Sequence, residues 1–258
     1  MTDVRKLTIL LSGYEIIRRS ACVHGEDAHI VLAVPICCYL LETAHGLVMF
    51  DTGLNSRHLA NPAEAHRLFH NDKFPAAPVV LPEHEPLSQL AGLGVAPEDV
   101  AIVILSHAHG DHTGHVAAFP NAAIVIQRRE HEAAFSEQGR AYRSFADIAS
   151  PDLAWRIVDG DVTLMPGLDL VLTPGHSAGH QSAVVTLPSG AMKILVGDVA
   201  DLLENFDREV ISGAIDPETA LASIRRIKAI ARETGAELIP LHDPGFVHSA
   251  RLAPLWYD

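Results

Sequence analysis

The chain has 258 residues, of which 48% are hydrophobic and 20% are charged. This balance supports a substantial folded core and excludes an intrinsically disordered chain. The formal net charge of −13 argues against nucleic-acid binding, because phosphate contacts require a basic surface. Chains of this length are commonly single units in α/β sandwiches and barrels, so we expect one domain over residues 1–258.

The sequence predicts neither a membrane span nor a signal peptide. Its longest apolar run, residues 30–41, is shorter than the roughly 20 residues that cross a bilayer. The apolar stretch 7–11 is too short for a signal-peptide core. The three cysteines, Cys22, Cys37 and Cys38, do not form a disulfide framework. We interpret them as small buried hydrophobic side chains in a reducing compartment. We therefore expect a cytoplasmic protein.

The first half of the chain predicts strands followed by helices. Apolar runs that predict strands occur at residues 7–11, 30–34, 37–42, 47–50 and 100–105. Helices are predicted around 56–69 and near 87–93, and a proline-rich loop occupies 74–86. A loop of this length can form a lid or a pocket wall, and a plain surface excursion fits equally well.

The second half repeats this order. Predicted strands occur at residues 123–127, 168–173, 182–187, 192–196 and 237–241. A helix that includes 130–135 follows the first of them, and a long amphipathic helix is predicted for 217–234. Pro217 in its first turn and Gly235 after its end are the residues expected at helix boundaries. Periodicity alone therefore predicts a mixed α/β fold.

A dense group of metal-ligating residues follows the strand at 100–105, in the segment His107-Ala108-His109-Gly110-Asp111-His112. His107 and His109 lie two residues apart, so their rings can converge on one ion. Asp111 and His112 follow a glycine that lets the chain reverse, and they point at a second ion. Zinc prefers such nitrogen and oxygen ligands, and two zinc ions close together form a hydrolytic site. A solvated loop with accidental metal affinity is the plainer alternative.

Three further candidate ligands each follow a predicted strand. His176 would complete a three-histidine set with His107 and His109. The carboxylate of Asp198 can bridge two ions, and His242 would join the second ion. Singly, each has a plainer interpretation as a surface histidine or a turn-forming aspartate. Together they predict a binuclear site with the ligands His107, His109, Asp111, His112, His176, Asp198 and His242.

With this order of ligands the chain resembles the metallo-β-lactamase superfamily, whose signature is His-x-His-x-Asp-His followed by a separate His, Asp and His. Flanking segments are similar to one branch, the N-acyl homoserine lactonases that silence bacterial quorum sensing, at 38–43, 50–53, 173–182, 204–206, 216–221 and 224–228. The resemblance extends roughly from residue 7 to residue 242. It implies a four-layer αβ/βα sandwich with two zinc ions, or other divalent transition metals, where the two sheets meet.

The resemblance also implies hydrolysis of a lactone ring. Two divalent ions lower the pKa of bound water and create a hydroxide nucleophile without a deprotonated side chain. By the same resemblance, Asp111 delivers a proton to the departing alkoxide. His180 and His115 lie near ligands and either orient them or are structural. Asp51 is expected to hydrogen-bond a ligand histidine or the metal loop, without a chemical role.

One residue departs from the lactonase pattern. Asp201 occupies the position where the best-known lactonases have a tyrosine, which is thought to contact the substrate carbonyl. A carboxylate cannot donate a hydrogen bond unless it is protonated. Three explanations stay open: the metals alone polarise the carbonyl, another donor such as Tyr14 or Tyr39 replaces the tyrosine, or the substrate differs.

Several functions compete with the lactonase interpretation. Hydrolysis of another small lactone is favoured by Asp201. A glyoxalase-type thioesterase would add a basic patch, and a β-lactam hydrolase usually carries an export signal. A diiron redox module usually has glutamate in place of His109, and a non-catalytic binding protein would lose ligands. We expect a small lactone as the substrate, with no nucleic acid or membrane partner. The acyl-chain preference and the oligomeric state, monomer or homodimer, stay open.

Overall fold

The computed structural model describes residues 2–142 and 144–258, and it contains two sheets. The strands are β1 (Val4–Arg18), β2 (Val31–Thr43), β3 (Gly46–Phe50), β4 (Val100–Ile104), β5 (Ala123–Gln127), β6 (Ala154–Val158), β7 (Val162–Met165), β8 (Leu168–Leu172), β9 (Gln181–Thr186), β10 (Met192–Leu195) and β11 (Glu237–Ile239). One sheet has the order β1-β2-β3-β4-β5-β6, and the other has the order β11-β10-β9-β8-β7.

Helices cover the outer faces of the sheets. The α-helices are α1 (Arg19–Cys22), α2 (Pro62–Phe69), α3 (Pro86–Gly92), α4 (Gly110–Thr113), α5 (Arg128–Ala134), α6 (Glu137–Arg140), α7 (Phe145–Ile148), α8 (Leu203–Arg208), α9 (Pro217–Thr234) and α10 (Pro244–Ser249). Within the described ranges, no helix combines the length and apolar character that a membrane crossing requires.

The largest hydrophobic cluster lies between the two sheets, because inward-facing residues alternate along the strands of both. On β2, Cys37, Tyr39 and Leu41 face this cluster, whereas Cys38 and Leu40 face the helices outside the first sheet. The prediction that the adjacent cysteines point to opposite faces is therefore confirmed. The outer face of the second sheet packs against α9, so the predicted four-layer αβ/βα sandwich is confirmed.

Helix α9 matches its predicted bounds. The Asp216 side chain caps its first turn by accepting a hydrogen bond from the Thr219 backbone N–H. Gly235 ends the helix with a φ of 71°, a left-handed conformation that favours glycine. Ile224 and Ile227 are fully buried against the second sheet.

Two predicted segments are divided differently in the structure, for local physical reasons. The predicted strands at 30–34 and 37–42 form the single strand β2, which continues through Pro35. Tyr14, the β1 residue opposite Pro35, exchanges both backbone hydrogen bonds with Val79, so the missing N–H of Pro35 breaks no bond between β1 and β2.

The predicted helix at 56–69 is a 3-10 turn over Ser56–Leu59 followed by α2, because Pro62 lacks an N–H and begins a new helix. Strands β6 and β7 and the short helices α6 and α7 were not predicted. They are four or five residues long, which is too short for a clear periodic pattern.

Candidate metal centre

The seven predicted ligands converge, although they come from four segments that each follow a strand. The loop after β4 carries His107 and His109 and leads into α4, which carries Asp111 and His112. The other three candidates follow β8, β10 and β11: His176, Asp198 and His242. The two sheets therefore both contribute side chains to one centre.

Two sets of ligand atoms form within this centre, and in each set the atoms lie within 4.8 Å of one another. One set comprises His107, His109, His176 and Asp198, and the other comprises Asp111, His112 and His242. Asp198 is 5% exposed and reaches both sets. One of its carboxylate oxygens lies 3.3 Å from His176 Nε2, and the other lies 3.3 Å from both His112 Nε2 and His242 Nε2.

Hydrogen bonds outside the centre orient three of the imidazole rings. The Nδ1 atom of His176 donates to the Gly213 carbonyl at 2.7 Å, and that of His242 donates to the Pro35 carbonyl at 2.7 Å. His112 Nδ1 contacts a carboxylate oxygen of Asp51 at 2.9 Å. In each ring the hydrogen is thereby placed on Nδ1, and the Nε2 lone pair points into the centre.

The side chains of the centre carry opposed charges. Burial opposes protonation of His112 and His242, but Asp111 and Asp198 outweigh it, raising the pKa of His112 well above its usual value and that of His242 to about 10. Despite its burial, Asp198 has a pKa well below its usual value, because His112 and His242 lie beside it. Metal coordination requires neutral imidazoles, so a cation that binds here displaces protons.

A divalent cation fits this centre. Within residues 2–142 and 144–258, three buried ligand atoms have no hydrogen-bond partner: His107 Nε2, His112 Nε2 and Asp198 Oδ1. A buried polar atom without a partner costs about 1–3 kcal/mol, and coordination would satisfy all three. The set of imidazole nitrogens and carboxylate oxygens is one that zinc prefers.

Asp51 supports the metal loop, as predicted. It is fully buried, and besides His112 it accepts a hydrogen bond from the Ser106 backbone N–H at 2.7 Å. Its φ of 58° is a left-handed conformation that costs a non-glycine residue about 1–3 kcal/mol. These bonds offset that strain and fix the start of the loop.

The two histidines predicted as orienting or structural residues differ in their contacts. His180 is fully buried, and its Nε2 accepts a hydrogen bond from the Asp198 backbone N–H at 2.9 Å. Burial lowers the pKa of His180 to about 3. His115 instead contacts the Leu54 carbonyl at 3.2 Å through its Nε2. His115 therefore braces a neighbouring loop, away from the candidate ligands.

The centre opens into a cavity of about 530 Å³. Its walls include the candidate ligands His109, Asp111, His176, Asp198 and His242, together with Asp201. A second cavity of about 210 Å³ adjoins it, and the two share the residues His109, Tyr142, Ser144 and Ile215. The larger cavity is of a size that suits a small organic ligand, and the smaller one extends it.

Tyr14 and Tyr39, the two donors named in one of the three open explanations, are not among the described residues that line the main cavity. Tyr14 packs edge-on against His84, and Tyr39 is buried in the core between the sheets. Tyr142, which was not predicted, lines both cavities and is 65% exposed. Asp201 is 7% exposed, and its pKa is raised to about 6, chiefly by burial and also by Asp198.

Comparison with known proteins identifies the family. The model of the metallo-beta-lactamase superfamily matches residues 33–242. The chain belongs to this superfamily. It is 32% identical to N-acyl homoserine lactonase AiiA of Bacillus thuringiensis subsp. kurstaki, over 97% of this chain and 98% of that protein. It is 31% identical to N-acyl homoserine lactonase AttM of Azorhizobium caulinodans, over the full length of both.

A solved structure extends the similarity to three dimensions. It is an N-acyl homoserine lactone hydrolase with the product N-hexanoyl-L-homoserine bound at its catalytic metal centre. Its TM-score to this chain is 0.90, with 32% identity and complete coverage of both chains. The recognition of the superfamily from the sequence is confirmed.

Sequence reasoning missed Glu130 as a supporting residue of the candidate metal centre. One of its buried carboxylate oxygens accepts hydrogen bonds from Ser177 Oγ and the Gly179 N–H, both at 2.7 Å, and the other accepts from the Ala108 N–H at 3.0 Å. Glu130 thereby ties the loop after β4 to the loop after β8. In the sequence it is simply a polar residue in the first turn of a predicted helix, with no signal of burial.

Proposed function

We propose that the chain is a binuclear zinc hydrolase that opens the lactone ring of N-acyl homoserine lactones. The observation that carries this proposal is the convergence of seven imidazole and carboxylate side chains at one end of a cavity, around the carboxylate of Asp198, which lies beside both sets of ligand atoms. Lactonase relatives of more than 30% identity over nearly the whole chain support the choice of substrate.

The residues that would hold the ions follow from the two sets of ligand atoms. His107, His109 and His176 would hold one ion, and His112, His242 and Asp111 would hold the other. Asp198 would bridge them. When bound, such ions lower the pKa of water towards neutrality and polarise a carbonyl.

Asp111 is the residue that we propose for proton transfer. Burial opposes its ionisation, but His112 and His242 outweigh burial, so its pKa is held below its usual value and its resting form is the carboxylate. It also lines the main cavity. Asp111 can therefore accept the proton that water loses on attacking the carbonyl carbon and pass it to the alcohol oxygen as the ring C–O bond breaks.

The adjoining cavity favours an acylated lactone over a simple one. Ile215 and Tyr142, at the border of the two cavities, are 70% and 65% exposed. The carboxylate of Glu130 in the wall is already hydrogen-bonded within the protein. An apolar chain that covers Ile215 and Tyr142 removes their surface from water, which stabilises the complex by about 25 cal/mol per Å².

Hydrolysis of a different lactone is the second candidate, and Asp201 is the observation that favours it. A buried carboxylate replaces the tyrosine hydroxyl of the best-known lactonases, so the cavity presents an acceptor where those enzymes present a donor. A lactone with a hydroxyl group beside the scissile carbonyl would donate to this acceptor. The amide N–H of an N-acyl homoserine lactone would do the same, so the choice between the two candidates is made by assay.

Ring opening of a lactone panel tests the proposal. The panel holds N-acyl homoserine lactones of short and long chain, simple γ- and δ-lactones, and a glutathione thioester, each assayed with metal-stripped and reloaded protein. We expect metal-dependent opening of the acylated homoserine lactones at the highest kcat/KM. Activity confined to the other substrates would refute N-acyl homoserine lactones as the substrate.

Replacement of Asp111 tests the residue assignment. We expect Asp111→Asn to lower kcat about 100-fold or more, because general acid–base catalysis contributes about 10²–10⁴-fold. Asp207→Asn is the matched control, since Asp207 is exposed on α8. Full turnover by the Asp111 variant would contradict its role.

A further inference from the structure

His180 lies beside both sets of candidate ligand atoms but belongs to neither set among the described residues. It is fully buried in the turn that precedes β9. Its ring centroid lies 5.4 Å from that of His107 and 6.1 Å from that of His176. Because His180 is not a candidate ligand, any effect it has on the centre is transmitted by the groups that it contacts.

The hydrogen bonds around His180 run in one direction. The Asp198 N–H donates to Nε2 at 2.9 Å, so this nitrogen is unprotonated and Nδ1 carries the hydrogen. Nδ1 then donates to Thr173 Oγ1 at 2.8 Å, and Thr173 donates to Ser182 Oγ at 3.1 Å. Ser182 in turn donates to the Val196 carbonyl at 2.8 Å. The chain of bonds begins at Asp198 and ends two residues before it.

The backbone at Asp198 depends on these contacts. Gly197 has a φ of +59°, and a Cβ atom at this position would lie 2.5 Å from His180 Nε2. The ring therefore packs directly against the glycine and holds the turn between β10 and Asp198. Without an acceptor on this ring, the buried N–H of Asp198 would lose its hydrogen bond, at a cost of about 1–3 kcal/mol.

We infer that His180 is a positioning residue that fixes the backbone of Asp198 and, through it, the carboxylate shared by the two sets of ligand atoms. The inference rests on the proposed metal pair. A shift of Asp198 changes its approach to His176 on one side and to His112 and His242 on the other. Loss of the His180 acceptor therefore weakens binding of the pair more than binding of a single ion.

The experiment compares the full-length chain with His180→Leu and His180→Gln. Glutamine keeps a side-chain oxygen that can accept from the Asp198 N–H, whereas leucine fills space without an acceptor. Metal-stripped proteins are titrated with Co²⁺ and Zn²⁺, and stoichiometry, affinity and the visible absorption of bound Co²⁺ are recorded. We expect affinity for the second equivalent to fall about 10–100-fold in His180→Leu, with an altered Co²⁺ spectrum. His180→Gln should stay within a few-fold of the wild type.

His115→Leu is the matched control, because His115 is a buried histidine whose ring contacts the Leu54 carbonyl, away from Asp198. Unfolding by urea of all variants separates loss of stability from loss of metal. Unchanged affinity and spectrum in His180→Leu, or an equal loss in His115→Leu, would overturn the inference. Uptake of fewer than two equivalents by the wild type would overturn the proposed metal pair itself.

Discussion

We predict that Glu130→Gln lowers the stability and the Zn²⁺ affinity of the candidate metal centre, although Glu130 is not itself a candidate ligand. The amide oxygen of glutamine can still accept from Ser177 and Gly179, but the amide nitrogen then faces the Ala108 N–H, and that bond is lost. A buried donor without a partner costs about 1–3 kcal/mol. The two remaining bonds lose the strength that the carboxylate charge provided, so the total reaches about 2–4 kcal/mol.

Urea unfolding of the metal-stripped chain measures this cost, and Zn²⁺ titration measures its effect on the centre. Glu132→Gln is the control, because Glu132 is an exposed residue on the same helix. We expect the Glu130 variant to lose both stability and Zn²⁺ affinity, and the control to lose neither. Stability within about 0.5 kcal/mol of the wild type, the usual range for neutral surface changes, would refute the assigned role of the three hydrogen bonds.

Three other predictions concern the same centre. Asp51→Asn weakens the orientation of His112, and we expect metal affinity to fall about 10–100-fold in a chelator competition assay. The pKa of Asp201 is raised from 3.8 to about 6, so the folded chain retains a proton that the unfolded chain loses. Stability of the metal-stripped protein therefore falls as pH rises from about 4 to 6, and Asp201→Asn, which lacks this fall, gains up to about 3 kcal/mol at pH 7 by urea unfolding. Reloading the stripped wild type with Zn²⁺ at about 100 times its Kd should add about 2.7 kcal/mol of stability, measured by thermal unfolding.

Each of these predictions has a clear contrary result. Wild-type affinity in Asp51→Asn would remove the orienting role of that carboxylate. Parallel stability profiles of the wild type and Asp201→Asn between pH 4 and pH 7 would mean that Asp201 is not buried as an ionised group. If Zn²⁺ does not change the temperature of thermal unfolding, Zn²⁺ binding does not stabilise the folded chain.

The long elements were predictable because their sequence patterns are unambiguous. Helix α9 has a capping aspartate, a proline in its first turn and a glycine after its end, and each feature acts locally. The prediction wrongly divided strand β2 at Pro35. Whether a proline interrupts a strand depends on which neighbouring strand its missing N–H would face. That neighbour is set by tertiary pairing, which a single sequence does not contain.

The candidate ligands were predictable for a different reason. Metal-ligating residues cluster in the sequence after β4, and the remaining three follow strands whose ends lead to the same place. Their convergence agrees with the prediction, and their assignment as ligands stays a proposal. Glu130, Tyr142 and Ile215 could not be found in this way, because their importance comes from burial or exposure at positions that ordinary helices and loops also provide.

The spread of the candidate ligands along the chain has a consequence for biosynthesis. His107 and His242 are separated by about half of the sequence. At roughly 5–20 residues per second, a ribosome needs on the order of ten seconds between them. During this time the nascent chain contains the histidines after β4 but not all of the candidate ligands that follow the strands of the second sheet. A cation that binds at this stage is therefore incompletely coordinated and exchanges with cations in solution. The proposed pair of ions would therefore be acquired after translation, when the supply of each metal in the cell would decide which ions the protein carries.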